Sequence, residues 1–195
     1  MNIKEFFFIG KLIFLINLAF GTGGMLMAQE NESKIETAFD YKDQPNEFWE
    51  SHLSPEAYNV CRVHGTERAG SGKYDKFYEK GTYYCACCGG DYAIYSSTAK
   101  FDSGTGWPSF YEPIKGGVVV RTDANDSLRG LVGLARKEVV CSRCGYHLGH
   151  VFDDGPPPTG KRYCMNSMAL TFTPEGQTAQ RTYSVTLAQS GEMNK

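Results

Sequence analysis

The sequence predicts a mainly antiparallel β fold, led by one or two short helices and held by a four-cysteine metal site. Three observations predict it. The chain of 195 residues carries 12 Tyr, 12 Phe and 2 Trp, and aromatic residues favour strands. Short apolar runs are separated by clusters of Gly, Pro, Asp and Ser, which is the punctuation of a β protein rather than a helical one. Two segments, Cys85-Ala86-Cys87-Cys88-Gly89 and Cys141-Ser142-Arg143-Cys144-Gly145, repeat the pattern Cys-x-x-Cys-Gly.

The length fits one domain, and a hydrophobic fraction of 41% is enough for a core. A formal net charge of -2 leaves no basic stripe for nucleic acid. The start of the chain reads as targeting sequence. Lys4 precedes apolar runs at Phe6 to Ile9 and Leu12 to Phe20, and small residues lead to Ala28. Residues 1–28 are thus a signal peptide, with Leu26 large for a cut after Ala28, or alternatively a membrane anchor over 6–28. Lys11 interrupts that span. Export to a periplasmic or extracellular location is the expectation. Residues 29–46 are a polar linker, 47–175 the folded domain and 176–195 a C-terminal tail.

Within the domain a short helix is expected from Glu47 to Ser51. A second begins at Ser54, which can cap it, with Pro55 at the first helical position and Glu56 in the first turn. It should end near Arg62, before Gly65. Strands are expected at Tyr74 to Tyr84, Tyr92 to Tyr95, Gly117 to Thr122, Glu138 to Val140, His147 to Phe152 and Tyr163 to Phe172. Thr182 to Leu187 is a last strand or a tail.

The cysteine pattern carries the first chemistry. Two thiolates three residues apart meet one ion from a tight turn, and the following glycine permits positive φ. Two such turns make a tetrahedral all-sulfur site, Cys85, Cys88, Cys141 and Cys144, suited to one structural Zn2+. Disulfides are the competing reading in an oxidising compartment, and Cys141, Cys144, His147 and His150 form a rival local set. Cys87 breaks the spacing and is excluded as a ligand.

Three cysteines remain. Cys164 follows Arg162 by two residues and precedes Asn166 by two, so the three share one face of a strand. A nearby guanidinium favours the thiolate. Alone, Cys164 reads as a buried strand residue. His147 and His150 shift the balance, because they follow directly on the second cysteine pair and can exchange a proton near neutral pH. Asp153 and Asp154 could orient one of them. The stiff loop from Gly155 to Gly160 should fold the histidine strand onto the cysteine strand. In Ser103-Gly104-Thr105-Gly106-Trp107-Pro108-Ser109-Phe110, Trp107 is an aromatic wall suited to a thioether, or else a core residue on a turn.

From Phe48 to about Thr173 these motifs, in this order, resemble the type B methionine sulfoxide reductases. The quoted stretches include Leu53-Ser54-Pro55-Glu56, Gly65-Thr66-Glu67-Arg68, both cysteine pairs, the Trp107 segment, His147-Leu148-Gly149-His150-Val151-Phe152-Asp153-Asp154-Gly155 and Arg162-Tyr163-Cys164-Met165-Asn166-Ser167. The resemblance implies two antiparallel β-sheets with zinc away from the chemistry. It implies reduction of methionine-R-sulfoxide, free or in proteins, with Cys164 as nucleophile passing through a sulfenic acid. His147 and His150 then bind or protonate the departing oxygen, Asn166, Arg162 and Asp154 support them, and Trp107 packs on the S-methyl group.

One position departs from the common pattern. Many relatives carry a resolving cysteine where this chain has Thr105. Cys61, at the end of the second helix, is the expected replacement, through a Cys61–Cys164 disulfide. Direct attack by an external thiol is the alternative, and Cys87 ranks below both. A thioredoxin-like donor outside the cytosol is the expected reductant. Two other functions compete. A non-catalytic zinc domain binding ligand in an aromatic cage has no use for Cys164, and a zinc hydrolase needs an open metal position that four thiolates deny.

Overall fold

The computed structural model describes residues 41–42 and 44–181. The expected targeting segment, most of the expected linker and the expected strand Thr182 to Leu187 lie outside the described residues. Among the described residues, no helix is long and apolar enough to cross a membrane.

Helix α1 spans Asn46–His52 and α2 spans Pro55–Val63. The cap of α2 is the expected one: Ser54 Oγ accepts the Ala57 amide at 3.2 Å, and Pro55 occupies the first helical position. His64, not a glycine, ends it in the left-handed region at φ 58°. That conformation costs a non-glycine residue energy, and His64 is held there by a side-chain bond described below. Trp49 of α1 is fully buried and packs edge-on against Tyr146, with centroids 4.8 Å apart.

Among the described residues nine strands follow: β1 Gly81–Cys85, β2 Ala93–Ser96, β3 Lys100–Phe101, β4 Ser109–Phe110, β5 Val118–Thr122, β6 Lys137–Cys141, β7 His147–Phe152, β8 Arg162–Met165 and β9 Leu170–Pro174. They make two antiparallel sheets, β2-β1-β9 and β3-β4-β8-β7-β6-β5. The core lies where the sheets face each other. Tyr83 of β1, Tyr95 of β2 and Phe110 of β4 are fully buried there. Tyr95 stacks on Phe110 at 4.3 Å, and Tyr83 meets it edge-on at 5.0 Å.

Two expected strands are cut differently. Tyr74 to Tyr84 is extended only from Gly81. Its first part turns so that Tyr74 packs edge-on over Tyr83 and Phe77 over Phe172. Tyr163 to Phe172 divides into β8 and β9, which belong to different sheets. The turn Ser167–Ala169 separates them. Alternation of residue types cannot reveal a strand that changes sheet, because both halves keep period two. The segment around Trp107, which is not among the expected strands, is flanked by β3 and β4 at the edge of the larger sheet.

Candidate active site

The two cysteine pairs come from different sheets. Cys85 ends β1 and Cys141 ends β6. After each pair the backbone reverses through a glycine at positive φ, 83° at Gly89 and 74° at Gly145, as only glycine does without cost. Cys85 Sγ lies 3.9 Å from Cys144 Sγ, and Cys88 Sγ 3.5 Å from Cys141 Sγ. The four sulfurs fall within 4.8 Å of one another, and all four residues are buried. Burial pushes the Cys85 and Cys88 thiols up, while hydrogen bonds from its neighbours hold Cys141 down. Four sulfurs facing one another in a dry site need a cation to ionise together, and the donor set fits a soft, tetrahedral ion.

Antiparallel pairing of β7 with β8 creates the second site. His150 is the direct partner of Cys164, and Gly149 of Met165. At Gly149 the strands approach so closely that a Cβ would lie 2.1 Å from the Cys164 carbonyl oxygen. On the other side Ser109 of β4 partners Cys164. A cavity of about 120 Å3 opens here, walled by Trp107, Thr66, His150, Phe152, Cys164 and Asn166 among others. His147 and His150 are three apart and would fall on opposite faces of a regular strand. The pairing with β6 shifts register, matching Val140 to His147 and Val139 to Gly149. This skip over Leu148 brings the two imidazoles together, with centroids 5.2 Å apart. His150 reaches the cavity. His147, 1% exposed, lies one layer behind.

Neither histidine is oriented by Asp153 or Asp154. Asp153 pairs with Lys161, and Asp154 takes two bonds from Arg162, Nε to Oδ1 at 2.9 Å and Nη2 to Oδ2 at 2.8 Å. The histidine partners are two buried carboxylates outside the expected set. His150 Nε2 donates to Asp123 Oδ2 at 2.8 Å, and Arg136 closes on the same oxygen at 3.4 Å. His147 Nδ1 donates to Glu138 Oε1 at 2.8 Å. His64 Nδ1 donates to that oxygen too at 2.8 Å, which fixes the left-handed end of α2, and Arg121 Nε serves Oε2 at 2.7 Å. Asp123 and Glu138 are 5% and 1% exposed. Only one sequence signal pointed to them, a charge at the edge of an apolar strand. Such a charge is rarely buried without partners.

Burial would raise Glu138, but His147 and Arg121 outweigh it and hold the carboxyl at about 2. Burial would also raise Asp123, and His150 with the Asn125 amide holds it below the ordinary range. His150 is pushed below the usual histidine value by burial, with Asp123 opposing. It is therefore a neutral imidazole at pH 7 whose Nε2–H is committed to Asp123. Its Nδ1 is the nitrogen left to take a proton. His147 Nε2 is buried without a hydrogen-bond partner.

Burial also raises Cys164, only partly offset by Thr105 and Arg162. Arg162 favours the thiolate as expected, yet desolvation wins, and the resting group is a thiol. Thr105 Oγ1 lies 3.9 Å from its sulfur. Asn166, expected to support the histidines, lines the cavity and spends its amide on protein. Its Oδ1 accepts the Glu67 amide at 3.0 Å and its Nδ2 donates to the Leu148 carbonyl at 3.1 Å. The Glu67 carbonyl in turn accepts Trp107 Nε1 at 3.1 Å. Asn166 thus ties the tryptophan wall to the histidine strand. Glu67 also caps the turn after β8, accepting the Ser167 amide at 2.7 Å and the Met168 amide at 3.1 Å.

The expected Cys61–Cys164 pair is not what the structure holds. Cys61 is disulfide-bonded to Cys87. Cys61 lies on the buried face of α2, which packs on the Ala86–Cys88 turn. Cys87, set aside on spacing, is its partner. The spacing excluded Cys87 from the cluster of four sulfurs but said nothing about where its own sulfur points.

A two-sheet fold with a buried four-sulfur cluster and a thiol set opposite a histidine in an aromatic cleft defines a small class of proteins. Comparison with known sequences names it. The SelR domain family model matches residues 53–174. A protein of Pseudomonas syringae called peptide methionine sulfoxide reductase MsrB is 54% identical over 128 residues, 66% of this chain and 92% of its own length. Proteins with the same name from Thiobacillus denitrificans, 53% identical over 128 residues, and Leptospira interrogans, 50% over 133 residues, are covered to 91% and 96% of their length and span 65% and 68% of this chain. The chain belongs to the type B peptide methionine sulfoxide reductase family.

Proposed function

We propose that this chain reduces methionine-R-sulfoxide to methionine, with Cys164 as the nucleophile and His150 as the proton shuttle. The observation that carries the reading is the direct pairing of His150 with Cys164 across β7 and β8, in a cavity walled by Trp107. The sulfoxide methyl group packs against the indole. His150 Nδ1 takes the Cys164 proton as the thiolate attacks the sulfoxide sulfur. The imidazolium so formed, stabilised by Asp123, returns the proton to the departing oxygen. The protonated oxygen passes to the Cys164 sulfur as the bond between the two sulfurs breaks, so methionine leaves with that electron pair and Cys164 is a sulfenic acid. Glu138 holds His147 behind this pair, and the Arg162–Asp154 bridge borders the thiol.

The four-cysteine cluster holds one structural zinc, which joins the two sheets and supplies no open position for chemistry. Cys61 is the resolving cysteine. Residues 1–28 export the chain or anchor it at a membrane, and an extracytosolic thioredoxin-like dithiol is the reductant. The chain acts on oxidised proteins or the free amino acid and takes no nucleic acid. An assay that resolves the two epimers of methionine sulfoxide, run with a dithiol donor, tests the activity. Loss of the R epimer alone is expected. Consumption of only the S epimer, or of neither, overturns the assignment. Undiminished function in Cys164→Ser would favour a binding domain instead.

A further inference from the structure

Cys164 has no thiol beside it. Thr105 is its near neighbour, four cysteines form the metal cluster, and the remaining two are bonded to each other. Those two differ in how they are held. Cys87 lies between Cys85 and Cys88, inside a turn fixed at both ends by metal-binding sulfurs. Cys61 lies on the last turn of α2, three residues before His64 and its left-handed backbone. The chain continues from there into Thr66, which walls the cleft, and Glu67, whose backbone bonds Asn166 and Trp107. The same helix packs on β7 and on the Ser167–Ala169 turn that follows the Cys164 strand. One segment therefore touches the turn that follows the Cys164 strand at one side and the rigid turn of Cys87 at the other.

Given the assignment of Cys61 as resolving residue, we infer that Cys61 and Cys87 form a two-step thiol relay that moves oxidation off Cys164 and stores it in the Cys61–Cys87 disulfide, where α2 meets the metal-binding turn. In the first step the Cys61 thiol attacks the Cys164 sulfenic sulfur. The S–O bond breaks, water leaves, and a Cys61–Cys164 disulfide forms. In the second the Cys87 thiolate attacks Cys61 Sγ. The Cys61–Cys164 bond breaks, the Cys61–Cys87 bond forms, and Cys164 leaves with the electron pair and takes up a proton. Both electrons come from Cys61 and Cys87, the oxidant is the sulfoxide, and Cys164 is ready for a second substrate. The stored disulfide is buried at both ends, with Cys61 and Cys87 1% and 0% exposed. Reduction therefore runs back through the same exchange, and the external dithiol attacks when the bond lies at the half-exposed Cys164.

The test uses the fully reduced, metal-loaded chain with excess methionine-R-sulfoxide and no reductant. Methionine released per chain is counted, and the cysteines are mapped by peptide mass after alkylation. The relay gives about two methionines per chain, a Cys61–Cys87 disulfide and a Cys164 sulfenic acid. In Cys87→Ser it gives about one, trapped as Cys61–Cys164, and in Cys61→Ser about one, with only the sulfenic acid. One methionine from wild type with a lasting Cys61–Cys164 bond overturns the relay and leaves Cys61 as resolving residue. One methionine with a lasting sulfenic acid and no bond at Cys61, or with a Cys61–Cys87 bond that persists through reduction beforehand, overturns both. Should Cys87→Ser fail to fold, wild type still decides by its count and by its bonds. A further measurement is independent of folding at position 87. Cys164→Ser with the Cys61–Cys87 disulfide in place should lose that disulfide to dithiothreitol at least ~10-fold more slowly than wild type, and equal rates overturn the relay.

Discussion

The cysteine cluster and the cleft are both built where strands end or pair, yet they treat their polar groups in opposite ways. In the cluster every sulfur faces three others, and one cation would satisfy them all. In the cleft two carboxylates satisfy one side of each imidazole and leave the other side open. His147 Nε2 is buried without a partner, and the Cys164 thiol meets a cavity. A site that only holds the fold closes on itself. A site that reacts keeps groups unpaired at the point where substrate arrives, and buried structure around it bears the cost.

The largest effect should come from opening the closed site. Stripping the metal with a chelator, or changing Cys85 or Cys141 to Ser, should unfold the domain outright. The two knuckles join separate sheets, and structural zinc commonly contributes on the order of 10 kcal/mol. Circular dichroism and metal content should fall together, and a folded, active apo-protein would erase the contrast. Next, Cys164→Ser should abolish turnover while leaving the melting temperature within a few degrees, because the lost group faces a cavity.

Glu138→Gln should sharpen the comparison, since Glu138 is the closed part of the open site. Removing its charge leaves His64, His147 and Arg121 facing a neutral amide and should destabilise the fold by about 3 kcal/mol. The folded carboxyl is held at about 2 against an ordinary 4.5. The stability it adds is complete above pH 4.5 and is lost as pH falls toward 2, a loss on the order of 3 kcal/mol. Acid titration of the fold should show that loss in wild type and not in Glu138→Gln.

Asp123→Asn should act on rate more than on fold. With His150 below the usual histidine value and Cys164 above the usual thiol value, kcat/KM should be maximal between them. Its acid limb should lie below about 6.5. Asp123 raises His150, so its removal should shift the acid limb to still lower pH and cut kcat about 100-fold. An unmoved limb would detach Asp123 from the proton transfer. The smallest effect belongs to the helix cap shared by both regions. Ser54→Ala should cost about 1 kcal/mol by chemical denaturation and leave kcat unchanged.

The two regions were also unequally legible. Capping signals at Ser54 and Pro55 located the second helix, and the repeated cysteine spacing located the cluster, because each signal is local. The histidine–cysteine hairpin was legible for the same reason, being one short loop between two strands. The supports of the cleft were not. Asp123 and Glu138 lie on β5's end and on β6, 27 and 9 residues from the histidines they hold, and no spacing rule connects them. The bulge at Leu148 was equally hidden, since a skipped residue leaves no mark in an alternating pattern.

By itself, then, the sequence determined most of the elements, the four clustered sulfurs and the cysteine that meets the cavity, since those depend on neighbours within a few positions. Tertiary structure alone decided which carboxylate faces which histidine, which imidazole meets the cavity, and that Cys61 bonds Cys87 rather than Cys164. Those are choices among partners far apart in the chain, and packing settles them where local chemistry permits more than one.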